Sequence, residues 1–371
     1  MAQKIYIVAG EASGDAHGAG LMSAMLASDP ELTFAGLGGP AMNGISGEVR
    51  NWTAEAAVVG FWEVIKKYGY FRGEFEQAVQ ALEDFAPDIL VLVDYPGFNL
   101  RLAAEVRKRG IEVKIVQYIS PQVWAWKRGR ISRMAKILDR MLCLFPFEVD
   151  LYRGSGLDAR FVGHPIAGQL SGLRGRDQRD EQLVALLPGS RQREVEKIFP
   201  VMLDAAVEMG KIEPGLRFAS AAAGHELAEQ MQVMASQRGL DCTVGVGNAH
   251  DLMASACCAA VASGTATLEA AFLGLPYCIV YRVAWPTYYL ARALMAVDYL
   301  GMANLLAGRE VVREFLQGDA DATTVAAELL RLSQSEQDRD ALTAELEQVT
   351  APLAEPGAYD LAAAATLEEF V

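Results

Sequence analysis

Short runs of apolar residues alternate with stretches whose apolar positions recur every three to four residues, and the alternation continues along the chain. The short runs predict β-strands at Ile5–Ala9, Phe34–Leu37, Ile89–Val93, Val113–Tyr118, Met141–Phe145 and Phe161–Val162. The longer stretches predict helices between them, such as Gly18–Ala27 and Phe71–Phe85. Strands separated by helices in this way belong to parallel sheets covered on both faces. The pattern breaks over 171–182, where Gly172-Leu173-Arg174-Gly175-Arg176-Asp177-Gln178-Arg179-Asp180-Glu181 is polar and aperiodic and reads as a linker. It restarts with a strand at Val184–Leu187, a helix over 194–209, and strands at Leu216–Ala219, Cys242–Val246, Ala259–Ala262 and Tyr277–Tyr281. The last 50 residues are helical in pattern. The expected fold is α/β, with a Rossmann-like domain over 1–170 and a second over 183–350. A terminal helix over 351–371 is expected to pack back on the first domain. Two such halves place a ligand cleft between the carboxyl ends of their sheets.

Composition narrows the classes. With 371 residues, 52% apolar and 22% charged, the chain is globular and long enough for two cores. A net charge of −14 argues against nucleic acid as a partner. Five cysteines, odd in number and mostly inside apolar runs, read as buried thiols of a reducing compartment. They share no metal-ligand spacing with the four histidines. The sequence opens on a strand with no signal-type stretch, and the longest uncharged run, Leu252 to Leu268, is rich in Ala, Ser, Gly and Thr. A cytoplasmic protein with at most peripheral membrane contact is expected.

Four segments carry candidate chemistry. Ser263-Gly264-Thr265-Ala266-Thr267 leads from a strand into a helix and presents free N–H groups, hydroxyls and a positive dipole end, which suits a phosphate. Glu269, one turn on, is placed to accept bonds from ribose hydroxyls, so a nucleotide-sugar donor is indicated. The alternative is an ordinary turn of small residues. Gly189-Ser190-Arg191 follows the first strand of the second half. There Gly189 permits close approach and Arg191 offers a planar fork to phosphate oxygens, unless it pairs on the surface with Glu194 or Glu196. Gly10-Glu11-Ala12-Ser13-Gly14-Asp15 does not match a dinucleotide fingerprint, and its acids suit sugar hydroxyls better than a pyrophosphate. Ser13 and Asp15 read equally as a helix cap and a dipole partner. Asp94 ends a buried apolar strand before Tyr95-Pro96-Gly97, either as a partly desolvated general base or as a cap of the turn.

These segments, with Gly38-Gly39-Pro40-Ala41-Met42, Tyr118-Ile119-Ser120-Pro121-Gln122-Val123-Trp124-Ala125-Trp126 and Asn304-Leu305-Leu306-Ala307-Gly308-Arg309, occur in the order found in lipid-A-disaccharide synthases. The chain resembles that family over nearly its whole length. The resemblance implies a GT-B glycosyltransferase that moves 2,3-diacylglucosamine from UDP-2,3-diacylglucosamine to 2,3-diacylglucosamine 1-phosphate, forming a β-1,6 disaccharide with inversion and needing no metal or other cofactor. It implies Asp94 as catalytic base, with Arg191, Asn304 and Glu11 in the catalytic cleft. It places Gly264, Thr265 and Glu269 in the donor turn and Ser13 in the first loop. One departure is that Gly301-Met302-Ala303 precedes Asn304 where the family commonly has Ser-Leu-Pro. His17 is a further candidate for proton transfer.

Acylated substrates call for a membrane-facing patch. Val58 to Arg72 holds five aromatics, three basic residues and one acid. Phe61, Trp62, Ile65, Lys66, Lys67, Tyr70 and Phe71 are its candidate membrane contacts at the inner face of the cytoplasmic membrane. The segment from Trp285 to Met295 reads equally as a second patch or a buried helix. Lys127, Arg128 and Arg130, in a basic stretch ending at Arg133, are the candidates to receive the acceptor's phosphate or lipid headgroups. Oligomeric state does not follow from the sequence.

Overall fold

Alternation along β1 (Lys4–Ala9) decides how the first sheet is covered. Ile5 and Ile7 point to one face, against Leu21, Met22 and Met25. Tyr6 and Val8 point to the other, against Val79, Leu82, Leu102 and Val106. A strand that is apolar on both faces is stable only as an inner strand of a helix-covered sheet. These relations come from a computed structural model that describes residues 3–53, 68–124, 128–174, 179–285, 288–289, 292 and 297–368, with backbone alone at 68–72 and 128.

The chain divides into two compact units, Met1–Pro165 with Glu355–Val371, and Ile166–Ala354. In the first unit β1 is followed by α1 (Ala12–Ser28), β2 (Thr33–Gly38), α2 (Pro40–Ile45), β3 (Val49–Asn51), α3 (Tyr68–Phe85), β4 (Ile89–Val93), α4 (Pro96–Arg109) and β5 (Lys114–Tyr118). Then come α5 (Ile131–Ile137), β6 (Arg140–Cys143), α6 (Pro146–Tyr152) and β7 (Asp158–Phe161). The seven strands are ordered β3-β2-β1-β4-β5-β6-β7, with every pairing parallel.

The second unit runs through α7 (Ile166–Leu170), β8 (Asp180–Leu187), α8 (Gln192–Ile212), β9 (Arg217–Ala222), α9 (His225–Ser236), β10 (Cys242–Val246) and α10 (Ala249–Ser255). It continues with β11 (Ala256–Ala262), α11 (Thr265–Phe272), β12 (Tyr277–Tyr281), α12 (Met302–Ala307), β13 (Glu314–Leu316), α13 (Ala322–Gln334) and α14 (Glu336–Thr350). Its sheet is ordered β10-β9-β8-β11-β12-β13. The last helix, α15 (Ala358–Leu367), lies in the first unit, where Ala362 and Ala363 pack with Leu21 and Met22 of α1.

Three boundaries differ from the sequence reading. β8 begins at Asp180, inside the stretch read as a linker. α7 falls in the second unit, because it packs on α11. α1 begins at Ala12, so the glycine-rich loop after β1 shrinks to Gly10 and Glu11. Gly18 and Gly20 belong to the helix and admit neighbours. A Cβ at Gly18 would stand 2.6 Å from Met42 Sδ, and one at Gly20 would stand 2.5 Å from the Tyr359 ring. Those glycines serve packing rather than a phosphate loop. β3 and β13, three residues each, are too short to show an apolar pattern and pair with β2 and β12 at the sheet edges.

Each sheet reverses its strand order once. In the first this happens between β1 and β4, where Ala9 pairs with Val93, so Gly10-Glu11 and Asp94-Tyr95 leave the sheet side by side. In the second it happens between β8 and β11, where Val261 pairs with Leu187. Such reversal points are where open parallel sheets bind ligands, at the carboxyl ends of their strands.

Candidate active site

At the reversal point of the first sheet, Asp94 and Tyr95 are both left-handed, with φ of 46° and 43°. Two successive non-glycine residues in this region cost on the order of 1–3 kcal/mol each and persist only when the surroundings hold them. The buried Asn99 does so by donating from Nδ2 to the carbonyls of Val93 (3.1 Å) and Asp94 (2.8 Å). The buried Gln117 donates to the same Asp94 carbonyl at 3.1 Å, and Asp94 N donates to Tyr118 O at 2.9 Å. Asn99 Oδ1 and Gln117 Oε1 are left without a hydrogen-bond partner among the described residues. Two buried amides are thus partly unsatisfied while they hold one turn, a pattern expected of a functional site rather than a stability device.

The turn aims Asp94 at a half-buried position beside Glu11. Burial raises its carboxyl pKa above the usual range, and the negative charge of Glu11 raises it further, against a lowering hydrogen bond from the Tyr95 backbone. The neighbouring loop is locked to this one. The Tyr95 ring lies where a Cβ on Gly10 would be, 2.2 Å away, and Trp52 Nε1 donates to Ala9 O at 2.7 Å. A glycine is required at position 10 because any side chain would displace Tyr95.

The other first-unit candidates separate. Ser13 is exposed near the start of α1, and Gly14 is buried behind it. Asp15 is corrected. It is buried, and its carboxylate accepts from the N–H groups of Gly39 (2.7 Å), Ala41 (2.9 Å) and Met42 (3.0 Å). Both oxygens cap α2, so Asp15 fixes the Gly38–Met42 segment and its carboxylate is engaged within the fold. His17 turns to α15, with Nδ1 3.1 Å from Tyr359 Oη, and burial holds its pKa below the usual value. Lys127 lies outside the described residues, as do Phe61, Trp62, Ile65, Lys66 and Lys67. Arg128 is described by its backbone in a short 3-10 turn that also contains Arg130, and Tyr70 and Phe71 by theirs in α3.

Beyond β5, Ile119 is also left-handed, at φ 72°, and opens the Ser120–Trp124 loop. The sequence reading passed over Glu148, which lies beneath it. Glu148 is 2% exposed and accepts from the N–H groups of Leu144 (3.2 Å) and Phe145 (3.1 Å), closing the start of α6. Its neighbour Tyr152 shares a 2.8 Å hydrogen bond with Ser120. Burial pushes the Glu148 carboxyl up to about 7. A folded pKa above the unfolded value means that the group favours folding most fully below its ordinary range and loses that contribution as pH rises through about 7. Glu148→Gln keeps the acceptor oxygen and removes the charge. Thermal stability of the wild-type protein should therefore fall more steeply than that of the variant between about pH 5 and pH 8. Equal slopes in calorimetry at several pH values would reject this account.

In the second unit, Gly189 is left-handed at φ 105°, and a Cβ there would collide with Glu194 Oε2 at 2.4 Å. Ser190 and Arg191 follow, exposed, at the start of α8. Arg191 rests 3.5 Å from Glu194 with its side chain 78% exposed. A surface pair of this kind is worth about 0–1 kcal/mol, so the guanidinium is released at little cost. At the next turn Gly264 caps α11 with no side-chain cap, and Thr265 is exposed. Ser263, Ala266 and Glu269 are half-buried around it. The N–H groups at this helix start face the strand ends with a positive dipole. His250 Nε2 lies 3.3 Å from Glu269 Oε2. It sits near the start of α10, and no spacing in the sequence signalled the pairing.

Two second-unit candidates are corrected. Thr267 is fully buried and donates from Oγ1 to Gly264 O at 2.8 Å, so it builds the turn from within. Asn304 is also fully buried. Its Nδ2 donates to Val312 O (2.8 Å) and Glu314 Oε1 (2.9 Å), and its Oδ1 accepts from Val311 N (2.7 Å) and Val312 N (2.9 Å). With two donors and two acceptor positions occupied within the fold, Asn304 holds the 308–314 segment to α12. Before Asn304, Glu314 holds the backbone by accepting from the N–H groups of Leu300 and Gly301, each at 2.9 Å.

The five cysteines are free and buried. Trp285 and Tyr289 stack at 5.7 Å and are 53% and 63% exposed, which places these two aromatics of the second lipid candidate on the surface. No helix among the described residues is long and apolar enough to cross a membrane.

Two parallel Rossmann-like sheets, each with its candidate groups at the carboxyl-end reversal point, define an α/β protein of the GT-B class, which includes UDP-sugar glycosyltransferases and epimerases. Solved structures agree on the fold. A putative UDP-N-acetylglucosamine 2-epimerase from Listeria monocytogenes matches with a TM-score of 0.64 at 11% identity, covering 97% of this chain and 94% of that one. A UDP-bound transferase from Siraitia grosvenorii matches with a TM-score of 0.57 at 12% identity, covering 99% and 100%. Closer relationships are read from sequence. The family model described as lipid-A-disaccharide synthetase matches residues 5–366. Lipid-A-disaccharide synthases from Geobacter sulfurreducens and Syntrophus aciditrophicus are 40% and 39% identical, the first covering 88% of this chain and 87% of the relative, the second 98% and 97%. The chain belongs to the lipid-A-disaccharide synthase family and is a glycosyltransferase of lipid A disaccharide synthesis.

Proposed function

We propose that the protein transfers 2,3-diacylglucosamine from UDP-2,3-diacylglucosamine to the 6-hydroxyl of 2,3-diacylglucosamine 1-phosphate, with inversion, releasing UDP. The observation that carries this reading is Asp94, desolvated in a doubly left-handed turn at the reversal point of the first sheet. As the acceptor O6 bonds to the anomeric carbon, Asp94 takes the hydroxyl proton and the bond from that carbon to the UDP oxygen breaks. A carboxyl whose pKa is raised holds a proton more tightly than an ordinary one and is the stronger base, and a positioned general base contributes roughly 10²–10⁴ in rate. Glu11, beside it, orients acceptor hydroxyls and maintains the raised pKa. Ser13 borders the same loop.

The second unit supplies the donor groups. The N–H groups of Thr265 and Ala266, with Ser263 and Gly264, receive the diphosphate, and Arg191, Gly189 and Ser190 close on it. Charge developing on the leaving UDP is thereby met by fixed donors. Glu269, steadied by His250, accepts from the ribose hydroxyls. Membrane contact is peripheral, through the 58–72 segment and the Trp285–Tyr289 aromatics, at the inner face of the cytoplasmic membrane.

Incubation of the purified protein with both lipid sugars, followed by mass spectrometry, should yield the disaccharide 1-phosphate and UDP in equal amounts, and the protein should co-sediment with phospholipid vesicles. Consumption of the donor without disaccharide, or epimerisation of a UDP-sugar without acceptor, would exclude the reading.

A further inference from the structure

A groove of about 190 Å³ runs between α4 and α5 on the first unit, and it begins at Pro96 and Gly97, directly after Asp94-Tyr95. Residues at helical spacing build it. Leu100 and Arg101 follow Gly97 on α4. Arg130, Arg133, Met134 and Ile137 follow one another around α5. Burial separates the lining into two zones. Met134 and Ile137 are buried and Leu100 is half-buried, which makes an apolar floor. Arg101 and Arg133 are exposed and Arg130 half-buried, which makes a basic rim.

The charges of Arg101 and Arg133 are not neutralised among the described residues in the way those nearby are. At the far end of α4, Arg107 pairs with Asp139, and Arg109 with Glu76, Glu83 and Glu105. Arg101 and Arg133 have no acidic partner among the described residues. The chain carries 47 acids against 33 Lys and Arg, so acids are plentiful, yet no acid is among the described residues that line the groove. The amino end of α4 adds its positive dipole to the same mouth.

We propose that this groove is a phosphate subsite. Arg101, Arg130 and Arg133 hold the phosphate, while the floor takes an apolar part of the same ligand. Nucleic acid does not fit an apolar floor on a chain of net charge −14. A phosphorylated lipid fits both zones. If the reading of Asp94 given above holds, on which this step rests, the phosphate is that of the acceptor, and the sugar bearing it sits at the mouth, where Asp94 stands. Arginine forks match phosphate oxygens in a way that lysine does not.

The test uses the full chain carrying Arg101→Ala with Arg133→Ala, or Arg101→Lys with Arg133→Lys. KM for the phosphorylated acceptor should rise about tenfold or more in the alanine pair and partly recover in the lysine pair. UDP affinity and the KM for the same sugar without its phosphate should stay constant. Phosphorus NMR of inorganic phosphate, broadened by wild-type protein and less by the alanine pair, tests the site without turnover, so failure of the transferase reading is scored separately. A fall in binding to phosphatidylglycerol–phosphatidylcholine vesicles, with KM unchanged, would retain the phosphate site and assign it to headgroups instead of the acceptor. Unchanged KM, vesicle binding and phosphate broadening would overturn the subsite.

Discussion

Asp94→Asn should lower turnover by roughly 10²–10⁴ and at the same time make the protein more stable, by about 0.5–2 kcal/mol near neutral pH. The loss follows from removing the proton acceptor. The gain follows from three features of the folded state. Burial and the charge of Glu11 both disfavour the ionised carboxylate. Asparagine is neutral and, among residues with a Cβ, tolerates the left-handed region at φ 46° well. It also keeps an oxygen for the Tyr95 backbone bond. The sign follows from proton linkage. A raised folded pKa means the folded state binds its proton more tightly than the unfolded chain, so ionising Asp94 weakens folding as pH rises. The stability difference between variant and wild type should therefore shrink at low pH and grow as pH rises. UDP affinity should be unaffected. Glu11→Gln removes one cause of the raised pKa, so the acid limb of kcat/KM should move to lower pH. A variant with wild-type turnover, or one less stable at neutral pH, would show that Asp94 does something else.

Asp15→Ala should cost about 2–5 kcal/mol of stability, the largest structural effect expected of any acid near the strand ends. Three N–H groups at the start of α2 depend on this carboxylate, and Gly39 and Met42 are buried or nearly so. Without it the buried N–H groups of Gly39 and Met42 lose their acceptor, while that of exposed Ala41 can turn to water. Asp15→Asn keeps one acceptor oxygen and should lose less. The measurement is a denaturant midpoint, paired with UDP titration. Because the donor groups belong to the other unit, the variant should still bind UDP where it remains folded. A loss of activity at full stability would mean that Asp15 touches substrate after all.

The same contrast shows how much of the site was legible beforehand. Asp94, Arg191 and the Ser263–Glu269 turn were read from their place at strand ends, and the structure sets them at the two points where strand order reverses. Asp15, Thr267 and Asn304 are candidates for substrate contact by sequence, with structural roles as the alternative for Asp15 and Thr267, and all three side chains hydrogen-bond within the fold. Residue type and proximity to a motif do not distinguish a polar group aimed at solvent from one that satisfies backbone N–H groups nearby, since both are needed where strands end. Glu148, Gln117 and His250 were missed for the converse reason. Each acts on a segment far from it in sequence or carries no motif of its own.

Apolar periodicity was enough to establish two parallel α/β units and nearly every inner strand, because burial on both faces leaves its mark residue by residue. The order of segments was enough to establish the family. Which acid stays half-buried with a raised pKa, which amides are used up internally, and that Arg101 and Arg133 have no acidic partner among the described residues were settled by folding alone. Those properties arise from contacts between strand ends far apart in the chain, and local periodicity carries no record of such contacts.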